Sequence, residues 1–214
     1  MAGGKSMSWH MRVLGALALG LALTSSVVAQ ERAVTIALRG GGFNSLSDVD
    51  QAGTSDLKKV GYDLGGGLGV DLTRYLGVRG DFTFARNQLR QNDIKTGRHL
   101  NRFFYDGAVQ LQYPAASGVR PYVFLGAGAV TLHPVGTSGD NQTKFAGTGG
   151  LGMSYALLGS GVGLFVEGKS WLYKLSGLSG GLNGFDRTQF DVTWSAGLSY
   201  RLPLGSAPAA QASR

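Results

Sequence analysis

The chain has 214 residues, 36 of them glycine, and a formal net charge of +7. It contains no cysteine, which excludes a disulfide framework, a thiolate metal site and a lipid-modified cysteine. Charged residues make up 15% of the chain, against about 25% in soluble domains, and no segment has the basic, aromatic-interleaved pattern or the zinc-finger spacing of a nucleic-acid-binding protein.

The N-terminal segment has the three parts of a secretory signal peptide. Lys5 and Arg12 form a basic region, residues 13–23 are apolar, and residues 27–29 form a small-residue cleavage site. The apolar run is shorter than the roughly 20 residues that a membrane-spanning helix needs. We therefore predict a signal peptide over residues 1–29, cleaved after Ala29. An uncleaved helical anchor is the alternative.

Eight segments then alternate apolar with small or polar side chains, which is the period of a β-strand between two environments. They cover residues 33–43, 62–72, 76–84, 103–113, 121–132, 145–155, 164–172 and 190–201. The connections between them, residues 44–60, 73–75, 87–102, 114–118, 133–144, 158–161 and 174–188, are alternately long and short. That rhythm is typical of outer-membrane barrels, which have tight periplasmic turns and extended outer loops. A polar tail follows over residues 203–214.

The last segment shows the alternation most clearly, with Phe190, Trp194 and Tyr200 on one row and Asp191 and Ser195 on the other. A water-facing row would be rich in Lys and Glu, whereas the polar rows here are mostly Gly, Ala, Ser and Thr. We therefore predict an all-β fold over residues 30–202, a closed eight-stranded antiparallel up-and-down transmembrane β-barrel with a polar, filled lumen. In residues 121–132 both rows are apolar or small, so the inward row cannot be assigned.

Single charges interrupt the inward rows, where little bulk water reaches. An unpaired charge in such a place is strongly destabilising. We predict that these charges form a structural ion-pair network that fills the lumen rather than a selectivity filter, with a narrow-pore transporter as the alternative. The predicted members of the network are Asp71, Arg79, Asp81, Asp106, Glu167 and Lys169.

Three stretches carry a resemblance to a known family. They are residues 65–71 with 76–81, residues 121–128, and residues 196–201. Over residues 31–202 the chain resembles the small outer-membrane β-barrel family, the eight-stranded type of the membrane domains of outer membrane proteins A and X. The resemblance implies a porin-like protein of a Gram-negative-type cell envelope, in the outer membrane with both termini periplasmic.

The resemblance also implies partners. Barrels of this family end in a signal read by the outer-membrane insertion machinery, and Ser195, Gly197 and Tyr200 match it, whereas Leu202 replaces its final aromatic residue. Outer-membrane lipids and lipopolysaccharide are the other expected partners. The sequence identifies no external ligand, and no nucleic-acid partner is expected.

The second long connection is strongly basic. We predict an anionic-lipid contact there, in which Arg90, Lys95, Arg98 and Arg102 bind lipopolysaccharide phosphates. A solvated loop without a ligand is the alternative.

We expect no catalytic, cofactor or metal site. A G-x-G-x-x-G match at residues 147–152 is followed by a strand pattern, whereas a dinucleotide site needs a helix there. Some barrels of the family are lipid A-modifying enzymes with His and Ser at the outer rim. His99 and His133 leave that alternative open, which depends on whether either one approaches a serine or a carboxylate.

Overall fold

A computed structural model describes residues 32–47, 55–56, 60–91, 94–115, 118–135, 141–157, 161–175 and 187–204. These residues form nine strands: β1 (Arg32–Ser45), β2 (Ser55–Asp56), β3 (Gly61–Asp71), β4 (Leu76–Gln91), β5 (Ile94–Gln112), β6 (Val119–Val135), β7 (Gln142–Ala156), β8 (Val162–Leu175) and β9 (Arg187–Leu204). The expected signal peptide lies outside the described residues. None of the described residues belongs to a helix long and apolar enough to cross a membrane.

The strands form one antiparallel sheet that closes on itself. β1 pairs with β3 on one side and with β9 on the other, and the pairing of β4 with β5 completes the ring. The eight-stranded closed barrel is therefore confirmed. β2, which was not predicted, is a two-residue addition that pairs with β4 at Arg90 and Gln91.

The two ends of the barrel differ. At one end, called the turn end, residues 72–75, 113–118 and 157–161 connect neighbouring strands, and β1 begins and β9 ends. Gly118 and Gly161 adopt φ values of 80° and 67° in these turns, a conformation that other residues rarely adopt. The opposite end, where β1 ends and β9 begins, is called the loop end.

The expected long connection over residues 87–102 is wrong. β4 continues to Gln91 and β5 begins at Ile94, with Asn87 paired to Leu100 and Gln88 to His99. Leu100 is buried in the barrel, so alternation continues through this charged segment. Charged residues are compatible with the water-exposed end of a strand, because they need not be buried there. The many charges in residues 87–102 therefore did not mark the end of β4.

The assignment of the two faces is confirmed. Leu125 is 75% exposed on the outer surface, whereas the neighbouring inward side chain of Phe124 is 5% exposed. The structure thereby assigns the rows that the sequence left open in β6, with Tyr122 and Phe124 inward and Val123 and Leu125 outward. The aromatic side chains near the strand ends are also outward, as an interfacial girdle requires: Tyr62, Tyr113, Tyr155, Phe190 and Tyr200.

Candidate functional site in the barrel lumen

The inward side chains of β8 pass through three zones of the lumen. From the turn end to the loop end they are Phe165, Glu167, Lys169, Trp171 and Tyr173. Phe165 and Glu167 border an open space, the vestibule. Glu167 and Lys169 belong to a layer of charged groups, and Trp171 and Tyr173 belong to an apolar cluster. The inward side chains of β8 therefore contribute to all three zones of the lumen.

The charged layer is centred on Asp81. Its carboxylate accepts hydrogen bonds from Arg39 Nη1 at 3.1 Å, Arg79 Nε at 2.7 Å and Lys169 Nζ at 3.1 Å. Glu167 is the second acceptor, with Arg79 Nη1 at 2.6 Å and the Tyr122 hydroxyl at 2.9 Å. We call this set, with Asp106, the ion-pair layer.

Asp106 ties the ion-pair layer to the zone above it. Lys169 Nζ donates to Asp106 Oδ1 at 2.6 Å, and Trp171 Nε1 donates to Asp106 Oδ2 at 3.2 Å. The layer thus contains three cations and three carboxylates, so its charges balance: Arg39, Arg79, Lys169, Asp81, Asp106 and Glu167. A balanced, hydrogen-bonded layer avoids the uncompensated buried charge that destabilises a fold most.

The structure brings five of the six residues predicted for the network together in this layer. The sixth, Asp71, lies closer to the turn end and pairs with Arg201 at 2.8 Å. It connects to the layer through amides, because Gln112 Nε2 donates to Asp71, Gln110 Nε2 donates to Gln112, and Arg79 donates to Gln110. The charges and amides therefore form one continuous polar path from the ion-pair layer to the Asp71–Arg201 pair near the turn end, a position that we call the mouth.

Two members of the layer were missed from the sequence. Arg39 falls on the inward row of the first predicted strand, so the alternation of residues along that strand (its parity) would have identified it as a lumen charge. Tyr122 could not be found in this way, because the row of its strand was not assignable.

The expectation of a polar lumen holds only in part for the loop half, where buried polar side chains lie beside a large apolar cluster. The apolar cluster in this half is called the apolar plug and consists of Phe43, Ala85, Leu100, Phe104, Val130, Leu132, Ala146, Trp171, Tyr173 and Leu175. The Phe104 ring stacks on Trp171 with centroids 4.2 Å apart, and Phe43 lies 6.1 Å from Phe104. Strands longer than the apolar band of the bilayer extend the barrel beyond the membrane. The inward side chains of this extension form a hydrophobic core like that of a soluble domain.

The prediction for Arg102 is also corrected. Its side chain is fully buried in the barrel, where Nη1 donates to Asn87 at 2.8 Å and Nε donates to the Tyr173 hydroxyl at 3.0 Å. That hydroxyl in turn donates to Asp191 at 2.6 Å. Arg102 therefore belongs to the interior and not to an exposed loop. The side chains of Arg90, Lys95 and Arg98 lie outside the described part of the structure.

The two histidines have no catalytic geometry in the described residues. His133 Nδ1 hydrogen-bonds to the Asn141 side-chain oxygen, which is neither a nucleophile nor a carboxylate. His99 lies on β5 opposite Val135 of β6. Among the described residues, no group of His, Cys, Asp and Glu side chains is arranged to hold a metal ion.

The vestibule occupies the turn half of the lumen and has a volume of about 470 Å³. Its inner end is formed by Arg79, Asp81 and Glu167 of the ion-pair layer, and Arg201 and Pro203 line it near the turn end. Much of its wall consists of small inward residues: Thr35, Ala37, Gly67, Gly69, Gly77, Ser154, Gly163 and Ser199. Because these side chains are short, the space between the strands stays open.

Comparison with known proteins gives a family and a fold. The family described as "Outer membrane protein beta-barrel domain" matches residues 15–205. The structure is similar to that of Neisserial surface protein A, with 15% identity, coverage of 81% of this chain and 97% of that chain, and a TM-score of 0.51. It is also similar to OprG from Pseudomonas aeruginosa, with 16% identity, coverage of 82% and 97%, and a TM-score of 0.53. No curated protein matches the chain.

Proposed function

Because the chain belongs to the family of outer membrane protein β-barrel domains, which places it in the outer membrane, we propose that it is a non-enzymatic protein with a structural or surface-interaction role. The filled lumen carries this proposal. In the described residues the ion-pair layer and the apolar plug occupy the space between the vestibule and the loop end. A barrel without a path through it acts through its surfaces, which argues against the narrow-pore transporter.

Single-channel recording tests this proposal. The purified barrel in a planar bilayer should give no discrete conductance steps, because buried side chains seal the lumen. The matched variant is Trp171→Gly, which removes the largest side chain of the plug. Discrete steps from the unmodified protein would contradict the proposal.

We propose that the turn end faces the periplasm and the loop end faces outward. Two connections at the loop end, residues 46–60 between β1 and β3 and residues 176–186 between β8 and β9, are longer than any connection at the turn end. This difference supports the orientation, because outer-membrane barrels have short periplasmic turns and longer outer loops. A protease site inserted at residues 176–186 should be cut in intact cells, whereas the same site inserted at residues 116–117 should be protected. Cleavage at the second site alone would reverse the orientation.

The β4–β5 hairpin supplies the proposed contact with lipopolysaccharide. Arg90 pairs with Lys95 in the register of the two strands, and Arg98 follows on β5. Each cation near an anionic lipid surface contributes about 1 kcal/mol, so changing all three to Gln should weaken lipopolysaccharide binding about 100-fold. The control changes Arg32 and Arg74, which lie at the turn end, to Gln. Equal binding by the two variants would refute the contact.

Export and assembly are part of the same proposal. The mature chain should begin at Gln30, which N-terminal sequencing of the membrane-inserted protein tests. Recognition by the insertion machinery is supported by the outward position of Tyr200 on β9. The Tyr200→Ala variant should therefore insert more slowly than Tyr155→Ala, which removes an outward tyrosine from β7. Equal insertion rates would remove the support for that signal.

The hydrogen bond from His133 to Asn141 supports a non-enzymatic role over a lipid A-modifying rim enzyme. A general base has to reach its nucleophile, and this ring is engaged elsewhere. Lipid A from cells that overproduce the protein should have an unchanged mass spectrum. A new acylation state that disappears in His133→Ala would establish the enzyme instead.

A further inference from the structure

The vestibule has the size of a small-molecule site. Its volume of about 470 Å³ falls within the roughly 300–1,000 Å³ of pockets that hold small ligands. The walls combine apolar surface from Phe165, Ala37 and Pro203 with polar groups from Gln110 and Gln112. Such a combination of apolar walls and a few convergent polar groups is typical of ligand sites.

The charges accessible from the vestibule are mainly cationic. In the ion-pair layer the side chains of Asp81 and Glu167 are 1% and 0% exposed, whereas that of Arg79 is 11% exposed. Nearer the mouth, the Arg201 side chain is 28% exposed, against 10% for its partner Asp71. The carboxylates are thus covered by their partners, and the guanidinium groups face the space.

The guanidinium of Arg201 has donors to spare for a ligand. Its hydrogen bonds to Asp71 Oδ2 involve Nε at 3.1 Å and Nη2 at 2.8 Å, and Nη1 takes no part in them. The Asp71 carboxylate is occupied in turn by Gln112, which donates to Oδ1 at 3.1 Å. Guanidinium groups bind carboxylate and phosphate through parallel N–H donors.

At one position the vestibule wall would accept a larger side chain, whereas a Cβ at Gly67, Gly77 or Gly163 would lie only 2.2, 3.1 or 2.9 Å from its nearest neighbour. A Cβ at Gly69, which faces the vestibule, would meet its nearest atom, the Val78 carbonyl oxygen, at 3.6 Å, an ordinary contact. The backbone therefore accepts a side chain at this position, and the glycine keeps the space free. An outward glycine with equal freedom is Gly147, where the nearest atom is the Leu172 carbonyl oxygen at 3.9 Å.

We propose that the vestibule binds a soluble small molecule that carries one carboxylate or phosphate group. The anionic group binds at Nη1 of Arg201, because the N–H donors of Arg79 are engaged by Asp81, Glu167 and Gln110. Its apolar part lies against Phe165 and Pro203. The ion-pair layer closes the inner end, so the ligand enters and leaves through the turn end.

Isothermal titration calorimetry on the full barrel in phosphatidylcholine nanodiscs tests the proposal, with benzoate, phenyl phosphate and benzamide as probes. Benzoate and phenyl phosphate should bind at a ratio of one per barrel. Benzamide has the shape of benzoate without its charge, and it should bind at least about tenfold more weakly, because hydrogen bonds to charged groups are the stronger ones. Equal binding of benzoate and benzamide would overturn the proposal.

Three variants locate the site. Gly69→Leu should abolish benzoate binding because it fills the vestibule, whereas Gly147→Leu adds the same bulk to the outer surface and should leave binding unchanged. Arg201→Gln should lower the affinity about tenfold or more. If Gly69→Leu does not fold, Ser199→Leu fills the same volume from β9. Unchanged binding in a folded filling variant would place the anion elsewhere.

A lipid headgroup offers the same anionic chemistry. Nanodiscs containing phosphatidylglycerol distinguish this source, because a headgroup that occupied the vestibule would compete with benzoate. Retained benzoate affinity in these nanodiscs supports the soluble ligand. Loss of benzoate binding would overturn that assignment and show that the vestibule holds a lipid headgroup.

Discussion

The two halves of the lumen are built from the same strands but have different interiors. In the turn half, inward glycine, alanine and serine residues leave a vestibule between the turn end and the charge-balanced ion-pair layer. In the loop half, Phe104, Trp171 and their buried neighbours pack against one another in the interior. A single strand, β8, supplies Glu167 to one half and Tyr173 to the other. The comparison shows that successive inward residues of one strand can line different zones of a small barrel. Packing that stabilises the fold can therefore lie in the loop half, and space for a ligand in the turn half.

The largest expected effect comes from the plug. Trp171→Ala should lower the free energy of unfolding by about 4–5 kcal/mol, because it leaves a cavity and removes the hydrogen bond to Asp106. Trp194→Ala is the matched control: its side chain is 64% exposed on the outer surface, so no internal cavity forms. Urea unfolding in lipid vesicles, followed by circular dichroism, measures both. Equal losses would show that the loop half is not tightly packed.

The ion-pair layer comes next. Lys169→Met keeps the volume and removes the charge, so Asp106 loses its only cation in the described layer. The free energy of unfolding should fall by about 3 kcal/mol, whereas Lys174→Met on the outer face of the same strand should have little effect. Adding Asp106→Asn to Lys169→Met should restore part of the loss. A double variant less stable than Lys169→Met would contradict the pairing.

Larger side chains introduced into each half distinguish the filled half from the open one. Ala85→Leu inserts a larger side chain into the plug and should cost about 1–3 kcal/mol. Gly69→Leu projects into open space in the vestibule, and its effect on the free energy of unfolding should stay within about 0.5 kcal/mol. The same urea experiment compares them. The distinction between a filled and an open half fails if Gly69→Leu is the more destabilising change.

A small effect on stability is also expected at the mouth. Arg201→Gln breaks a partly exposed ion pair with Asp71, which should cost about 0–1 kcal/mol. This variant therefore tests ligand binding without a large change in stability. A loss as large as that of Lys169→Met would mean that the mouth belongs energetically to the buried layer.

The sequence predicted the barrel because alternation in β8 and β9 reports two environments residue by residue. Leu164, Val166 and Leu172 fell on the outer row, and Glu167 and Lys169 on the inner row, as the structure has them. Parity also identified five of the charges that meet in the ion-pair layer. Their partners could not be chosen, because pairing across the lumen depends on barrel closure and strand stagger rather than on local pattern.

Two features could not be read from the sequence for physical reasons. The plug was missed because apolar inward residues such as Phe104 and Val130 break the alternation on which the face assignment rests. The end of β4 was missed because the charged residues after Asn87 are equally compatible with a loop and with a strand that extends beyond the membrane. The vestibule exists because many inward residues have short side chains or none. Glycines in the sequence indicate a wall of small residues, but they do not show whether side chains from other strands fill the space.

Thiol accessibility tests the division of the lumen most directly, because the chain has no cysteine and each variant carries a single thiol. Ser154 lines the vestibule, and Thr148, on the same strand, is 3% exposed at the level of Trp171. In the folded barrel, Ser154→Cys should react rapidly with a water-soluble methanethiosulfonate reagent, whereas Thr148→Cys should react only after unfolding in urea. Equal rates at the two positions in the folded barrel would contradict a lumen that is open in one half and sealed in the other.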